Sequence, residues 1–204
     1  MDCNRYEEIK ERLEKESKSR PKFVYCLGAT GPTGPAGDSS SACCNCIDQM
    51  RNIIQQIINL YSNNIVFVTL DSGDLLFGRP SALILGPSGK SNIFEVTNTD
   101  SNIRQLASLC SVDSIRINNA VYNDAITYLP EPIPRLNGCC ADCESDIRSI
   151  LPVGTTNVSI ITNGNIASQG TVIKNEYGMV VLTDTEDGNV SFTSTCKIDA
   201  VFLS

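Results

Sequence analysis

Apolar residues recur at helical spacing between positions 47 and 61, where Ile53, Ile54, Ile57, Ile58 and Tyr61 form one broad stripe, and this periodicity predicts an amphipathic helix. The pattern then changes to short β-rich runs divided by Gly, Asn, Asp and Pro, which predict strands near 64–70, 76–85, 92–97, 103–109 and 111–118. The three prolines of Leu129-Pro130-Glu131-Pro132-Ile133-Pro134 read as a stiff linker, because proline cannot donate to a strand ladder. Beyond it the same order begins again. A shorter helix is expected near 143–151, stopped by Pro152, followed by strands near 156–162, 167–174, 178–183, 188–194 and 196–203.

The recurrence extends to individual residues. Cys43-Cys44-Asn45-Cys46 opens the first half and Cys139-Cys140-Ala141-Asp142-Cys143 the second; with Cys46 laid on Cys143, Arg51 falls on Arg148 and Ile53-Ile54 on Ile150-Leu151. Further along, Val66–Gly73 answers to Val158–Gly164, Gly78 to Gly170, and Leu109-Cys110-Ser111-Val112-Asp113 to Thr195-Cys196-Lys197-Ile198-Asp199. The fold expected is mainly β, a tandem repeat of two small helix-plus-five-strand units, barrel-like in the element order of Sm-like and SH3-like domains. Units of about 65 to 78 residues bury little surface alone, so pairing of the two copies or oligomerisation is expected to supply the rest.

The N-terminal part has a different character. Glu8–Arg12, Glu11–Lys15 and Glu14–Lys18 sit at the favourable i,i+4 spacing and predict a solvated helix over 4–19. Gly28, Gly31, Gly34 and Gly37 then return at every third position, with proline filling two of the intervening sites. That period is collagen-like, since only glycine fits the axis of three wound chains, and four triplets serve equally as an extended spacer. The organisation is thus a charged arm (1–27), a collagen-like spacer and hinge (28–42), a first helix-plus-barrel repeat (43–120), a Pro-rich linker (121–138) and a second repeat (139–204).

Composition narrows the function. Sixteen basic against 23 acidic side chains give a net charge of −7, the wrong sign for nucleic acid or an anionic membrane surface. The chain has no histidine, which removes Ser-His-Asp and Cys-His catalysis and the commonest zinc ligand. Gly86-Pro87-Ser88-Gly89-Lys90-Ser91 has Ile84 where a phosphate loop needs its first glycine, and reads as a hairpin loop. Asp71, Asp74, Asp113 and Asp199 are scattered at turns and strand ends, with no acid/base pair evident. No enzyme activity and no cofactor are expected. No run approaches a spanning helix and no signal-peptide pattern is seen, so synthesis in the cytosol without export by a leader is expected.

Ten cysteines carry the remaining chemistry. Cys110 and Cys196, at matching places before the last strand of each half, read as small buried hydrophobes. Cys43, Cys44, Cys46, Cys139, Cys140 and Cys143 read as lying just before helices, where the dipole favours a thiolate. With Cys3 and Cys26 on the arm, they are the candidates for disulfide cross-links between subunits. Alternatively, Cys43, Cys46, Cys140 and Cys143, two C-x2-C pairs, are a candidate four-cysteine zinc set.

A cysteine-rich chain with Gly-Ala-Thr-Gly-Pro-Thr-Gly-Pro-Ala ahead of a Cys-Cys-x-Cys helix resembles the collagen-like surface proteins of endospore-forming bacteria, found in exosporium, coat and appendages. The tract is short for that family. The resemblance implies a structural subunit that partners itself and other spore-surface proteins, and that reaches the spore surface from the mother cell, with Gly28, Gly31, Gly34 and Gly37 as the assembly spacer.

Overall fold

The computed structural model describes residues 42–87, 89–133, 139–184 and 188–204, with the backbone alone at 42–44, 139 and 140. The charged arm, the collagen-like glycines Gly28, Gly31, Gly34 and Gly37, the thiols of Cys3 and Cys26, and the side chains of Cys43, Cys44, Cys139 and Cys140 therefore lie outside the described residues. Helix α1 (Ala42–Leu60) leads into β1 (Val66–Leu70), β2 (Leu75–Leu85), β3 (Ser91–Thr97), β4 (Arg104–Ser108), a 3-10 turn (Leu109–Ser111) and β5 (Val112–Ile117). Helix α2 (Cys139–Ser149) then leads into β6 (Val158–Thr162), β7 (Asn165–Glu176), β8 (Met179–Asp184), β9 (Asn189–Thr193), a second 3-10 turn (Thr195–Lys197) and β10 (Ala200–Leu203). Among the described residues the fold is mainly β: one antiparallel sheet of ten strands, ordered β10-β6-β7-β8-β9-β5-β1-β2-β3-β4, with two helices.

Local chemistry explains most boundaries. Asn163 and Gly164 both take positive φ, 47° and 73°, the backbone a two-residue hairpin needs, and they join β6 to β7. Gly86–Lys90 closes β2 onto β3, with Gly86 N–H donating to Lys90 O at 2.9 Å, so the segment is the hairpin loop its missing first glycine implied. Gly78 and Gly170 stand where the long strands β2 and β7 pass from one partner strand to the next. A Cβ on Gly78 would stand 2.1 Å from Thr97 O, and one on Gly170 2.1 Å from Thr183 O, so neither site admits a side chain.

Two expectations are corrected here. Both helices start earlier than their apolar stripes, at Ala42 and Cys139, because Ala and Cys do not break a helix; the cysteine clusters lie in the first turns rather than before them. The strand expected over 196–203 begins only at Ala200, because Thr195–Lys197 is a 3-10 turn.

The first core gathers Met50, Ile53, Ile54 and Ile57 of α1 with Val66, Val68, Phe94, Ile115 and Ile117, and it also takes Met179, Val181, Val190 and Phe192 from β8 and β9. The second takes Ile147, Leu151, Val158, Ile160, Val172, Val180, Leu182, Ile198 and Val201. Strand β8 is thus buried on both faces, which is why Met179-Val180-Val181-Leu182 is an unbroken apolar run in an antiparallel sheet. Residues 121–133 contain no strand or helix and are tied to α1. Asn52 and Gln56 side-chain amides each donate to Thr127 O at 2.8 Å, Leu129 N–H donates to Gln49 Oε1 at 2.9 Å, and Ile126 is buried. Among the described residues no helix is long and apolar enough to cross a membrane.

Candidate functional site

Where α1 meets the two 3-10 turns, a cleft of about 380 Å³ opens at the junction of the two cores. One wall is a disulfide, Cys46–Cys196, whose Cα atoms are 6.2 Å apart and whose residues are 150 positions apart in the chain. It ties the fifth residue of α1 to the second 3-10 turn. Gly178, with φ of 75°, packs beside this bond: a Cβ there would lie 3.5 Å from Cys46 Sγ.

The cleft also gathers charge. Lys197 Nζ lies 3.3 Å from Asp71 Oδ2 and 4.0 Å from Asp113 Oδ1, and Asp199 lines the same space. Asp113 is 1% exposed and its Oδ1 has no hydrogen-bond partner. Burial pushes its carboxyl up to about 6, against the pull of Lys197. The carboxylates expected to be scattered are therefore in part brought together: Asp71, Asp113 and Asp199 share one cleft, while Asp74 is exposed on the β1–β2 turn and bonds Ser72. The equal spacing of Val112-Asp113 and Ile198-Asp199 was the available signal.

Behind the disulfide is a buried polar network that the sequence reading missed altogether. Glu144, 1% exposed, accepts from Gly178 N–H and from Thr195 Oγ1, each at 3.0 Å, and from Arg148 Nε at 3.0 Å. Arg148 reaches on to Glu131 Oε2 at 2.9 Å, and its guanidinium lies 5.6 Å from the Tyr177 ring centre. Burial opposes that charge, but Glu131 and Glu144 hold the guanidinium's pKa above its ordinary value. Gln49, fully buried, donates to Tyr177 O at 2.7 Å. The network fixes α1, α2, the β7–β8 turn and the 121–133 segment against one another. Only the i,i+4 spacing of Glu144 and Arg148 hinted at it.

The cysteines do not all fall where expected. Cys110, read as buried, is exposed, and Cys196, read as buried, is half-buried and bonded to Cys46. The reason is that both helices pack on the second 3-10 turn, whereas the first packs against α1 without a comparable contribution from α2. Cys143 on α2 is a half-buried free thiol. Of the zinc alternative Cys43, Cys46, Cys140 and Cys143, Cys46 has its sulfur in the disulfide and so lacks the thiolate that zinc requires. Among the described residues no group of three metal-ligating side chains is poised to hold an ion. Chemically, the described residues offer one formed disulfide and two thiols available for a bond elsewhere. No protein-family model matches the chain, and neither a curated protein nor a solved structure matches it.

Proposed function

We propose that the protein is a structural, non-enzymatic subunit that assembles with copies of itself into a spore-surface layer, fibre or appendage, locked by disulfides between chains. In this reading its halves are two related small barrel-like units of Sm-like or SH3-like strand order, fused in tandem. Support for the tandem comes from the matched close approaches of Gly78 to Thr97 and of Gly170 to Thr183, where a Cβ on either glycine would stand 2.1 Å from the facing carbonyl oxygen. The observation that carries the assembly reading is the pair of free thiols, Cys110 and Cys143, on a molecule whose internal disulfide is already made. The spore-surface setting, with the collagen-like tract as spacer and other surface proteins as further partners, follows from the family resemblance.

The test is electrophoresis and electron microscopy of the purified full chain, with and without reductant, with bound metal assayed on the same sample. Ladders or ordered filaments that reductant dissolves are the expected result. A monomer indifferent to reductant and carrying about one zinc per chain would overturn the proposal in favour of the four-cysteine site.

A further inference from the structure

The joint inside the chain is a template for a joint between chains. Strand β9, the fourth strand after α2, pairs antiparallel with β5, the fifth strand after α1, in the register Ser114↔Thr193, Ile115↔Phe192, Arg116↔Ser191 and Ile117↔Val190. The two ends of the sheet order are β4 and β10, again a fourth strand and a fifth. The two edges are therefore the two complementary halves of the joint already made once.

The registers fix which residues correspond. Phe94↔Ala107 in β3–β4 matches Val180↔Thr193 in β8–β9, and Val66↔Ile117 in β1–β5 matches Val158↔Leu203 in β6–β10. Leu106 then occupies the place of Phe192, and Leu203 that of Ile117. Phe192 and Ile117 are fully buried in the internal joint, whereas Leu106 is 56% and Leu203 48% exposed. These are apolar residues at the positions that a second joint would cover.

The sulfurs obey the same correspondence. In the internal joint, Cys196 in the 3-10 turn after β9 is bonded to Cys46 on the helix of the other half. The residue that matches Cys196, after β4, is Cys110, and the residue that matches Cys46, on α2, is Cys143. Those are the cysteines left free among the described residues.

Resting on the assembly reading above, we infer that copies join head to tail: β4 of one pairs with β10 of the next, in the register Ala107↔Ala200, Leu106↔Val201, Gln105↔Phe202 and Arg104↔Leu203, and Cys110 of the first is disulfide-bonded to Cys143 of the second. The occupant of each edge is a second copy of this chain, because the edges reproduce an interface the chain already forms with itself. The new joint differs from the internal one most in the charge beside it. Glu95 and Arg104, paired by hydrogen bonds of 2.8 and 2.6 Å, stand where the internal joint has Val181 and Val190. Their mutual neutralisation lets the face be covered, and their charges discourage pairing with an unmatched strand. The joint is accordingly less apolar, and the covalent bond secures it.

A small-molecule disulfide such as oxidised glutathione supplies the oxidation. The Cys110 thiolate attacks one of its sulfurs, forming a mixed disulfide and expelling one glutathione thiolate. The Cys143 thiolate of the next copy then attacks the Cys110 sulfur and expels the second. Two cysteine thiols are oxidised to one disulfide, one small disulfide is reduced to two thiols, and the cysteine protons pass to those thiols.

The test uses full-length chain in which Cys3, Cys26, Cys43, Cys44, Cys139 and Cys140 are serine, leaving the internal disulfide and the two thiols. On incubation with oxidised glutathione, this protein should give a ladder, and Cys110→Ser and Cys143→Ser each alone should stay monomeric. Mixed in equal amounts, the two single variants should give a dimer and nothing larger, since each brings one competent end. Peptide mass spectrometry on a mixture of 15N-labelled and unlabelled chains should find the Cys110–Cys143 link between differently labelled copies. Leu106→Lys, a surface change, should lower the ladder's yield at least several-fold while leaving the monomer folded by circular dichroism. A Cys110–Cys143 link confined to single chains, or a mixture of single variants that stays monomeric, overturns the joint. If wild-type chain still forms reductant-sensitive multimers through its other cysteines, the assembly reading survives that failure; if it forms none, both fall.

Discussion

At the scale of single residues, two kinds of position govern what the molecule tolerates. Gly78 and Gly170 place the backbone where a Cβ would enter a neighbouring carbonyl, at backbone φ values of 153° and 128°. Replacing either by Ala should cost more than about 2 kcal/mol in denaturant unfolding, whereas Gly89→Ala, with open space at its Cβ position, should cost only about 1 kcal/mol for its positive φ. Asp113 is the second kind. Its carboxyl is raised by burial from 3.8 to about 6, so between those values the folded chain keeps a proton that the unfolded chain has lost. Stability from this group is therefore full below about pH 4, declines as pH rises to about 6, and stays lower above, by up to about 3 kcal/mol. Asp113→Asn should flatten the stability profile of the chain over that interval, read as the difference between wild-type and variant unfolding free energies at each pH. Cys110 shows where residue-level reading fails: its neighbours match those of Cys196, but its turn packs on α1 without the second helix that also packs on the turn of Cys196.

At the scale of elements, the pattern of hydrophobic positions located the two helices and ten strands among the described residues to within a few residues, because strands such as β1, β3 and β6 bury alternate side chains, β8 is an unbroken apolar run, and each helix buries one stripe. What the pattern could not give was how the elements meet. The segment read as a stiff Pro-rich linker is strapped to α1 by Gln49, Asn52 and Gln56, and polar amides on a helix announce no partner in sequence. Likewise, Glu144 reads as a solvated charge on a short helix, yet it holds three elements together. Glu144→Ala leaves the Gly178 N–H, the Thr195 hydroxyl and the Arg148 guanidinium without their acceptor, and should destabilise the fold by about 3 kcal/mol. Glu144→Gln, which keeps the shape but not the charge, should cost less, and comparison of the two denaturation midpoints separates the ionic share from the hydrogen bonds.

At the scale of the whole molecule, the Cys46–Cys196 bond closes a loop of 150 residues and links the helix of the first half to the end of the second. Constraining so long a loop in the unfolded chain is worth about 4 to 5 kcal/mol on chain-entropy grounds. Cys46→Ser should therefore lower the thermal midpoint substantially, and reductant should do the same to wild type but have no further effect on the variant. The doubly buried strand β8 has a consequence of its own. Val180 and Leu182 wall one core while Met179 and Val181 wall the other, so neither half can melt without stripping a face from its neighbour. The chain therefore unfolds as one cooperative unit despite its two cores, and the amides of this shared strand are the last to exchange with solvent deuterium, protected by the global unfolding free energy rather than by either half alone.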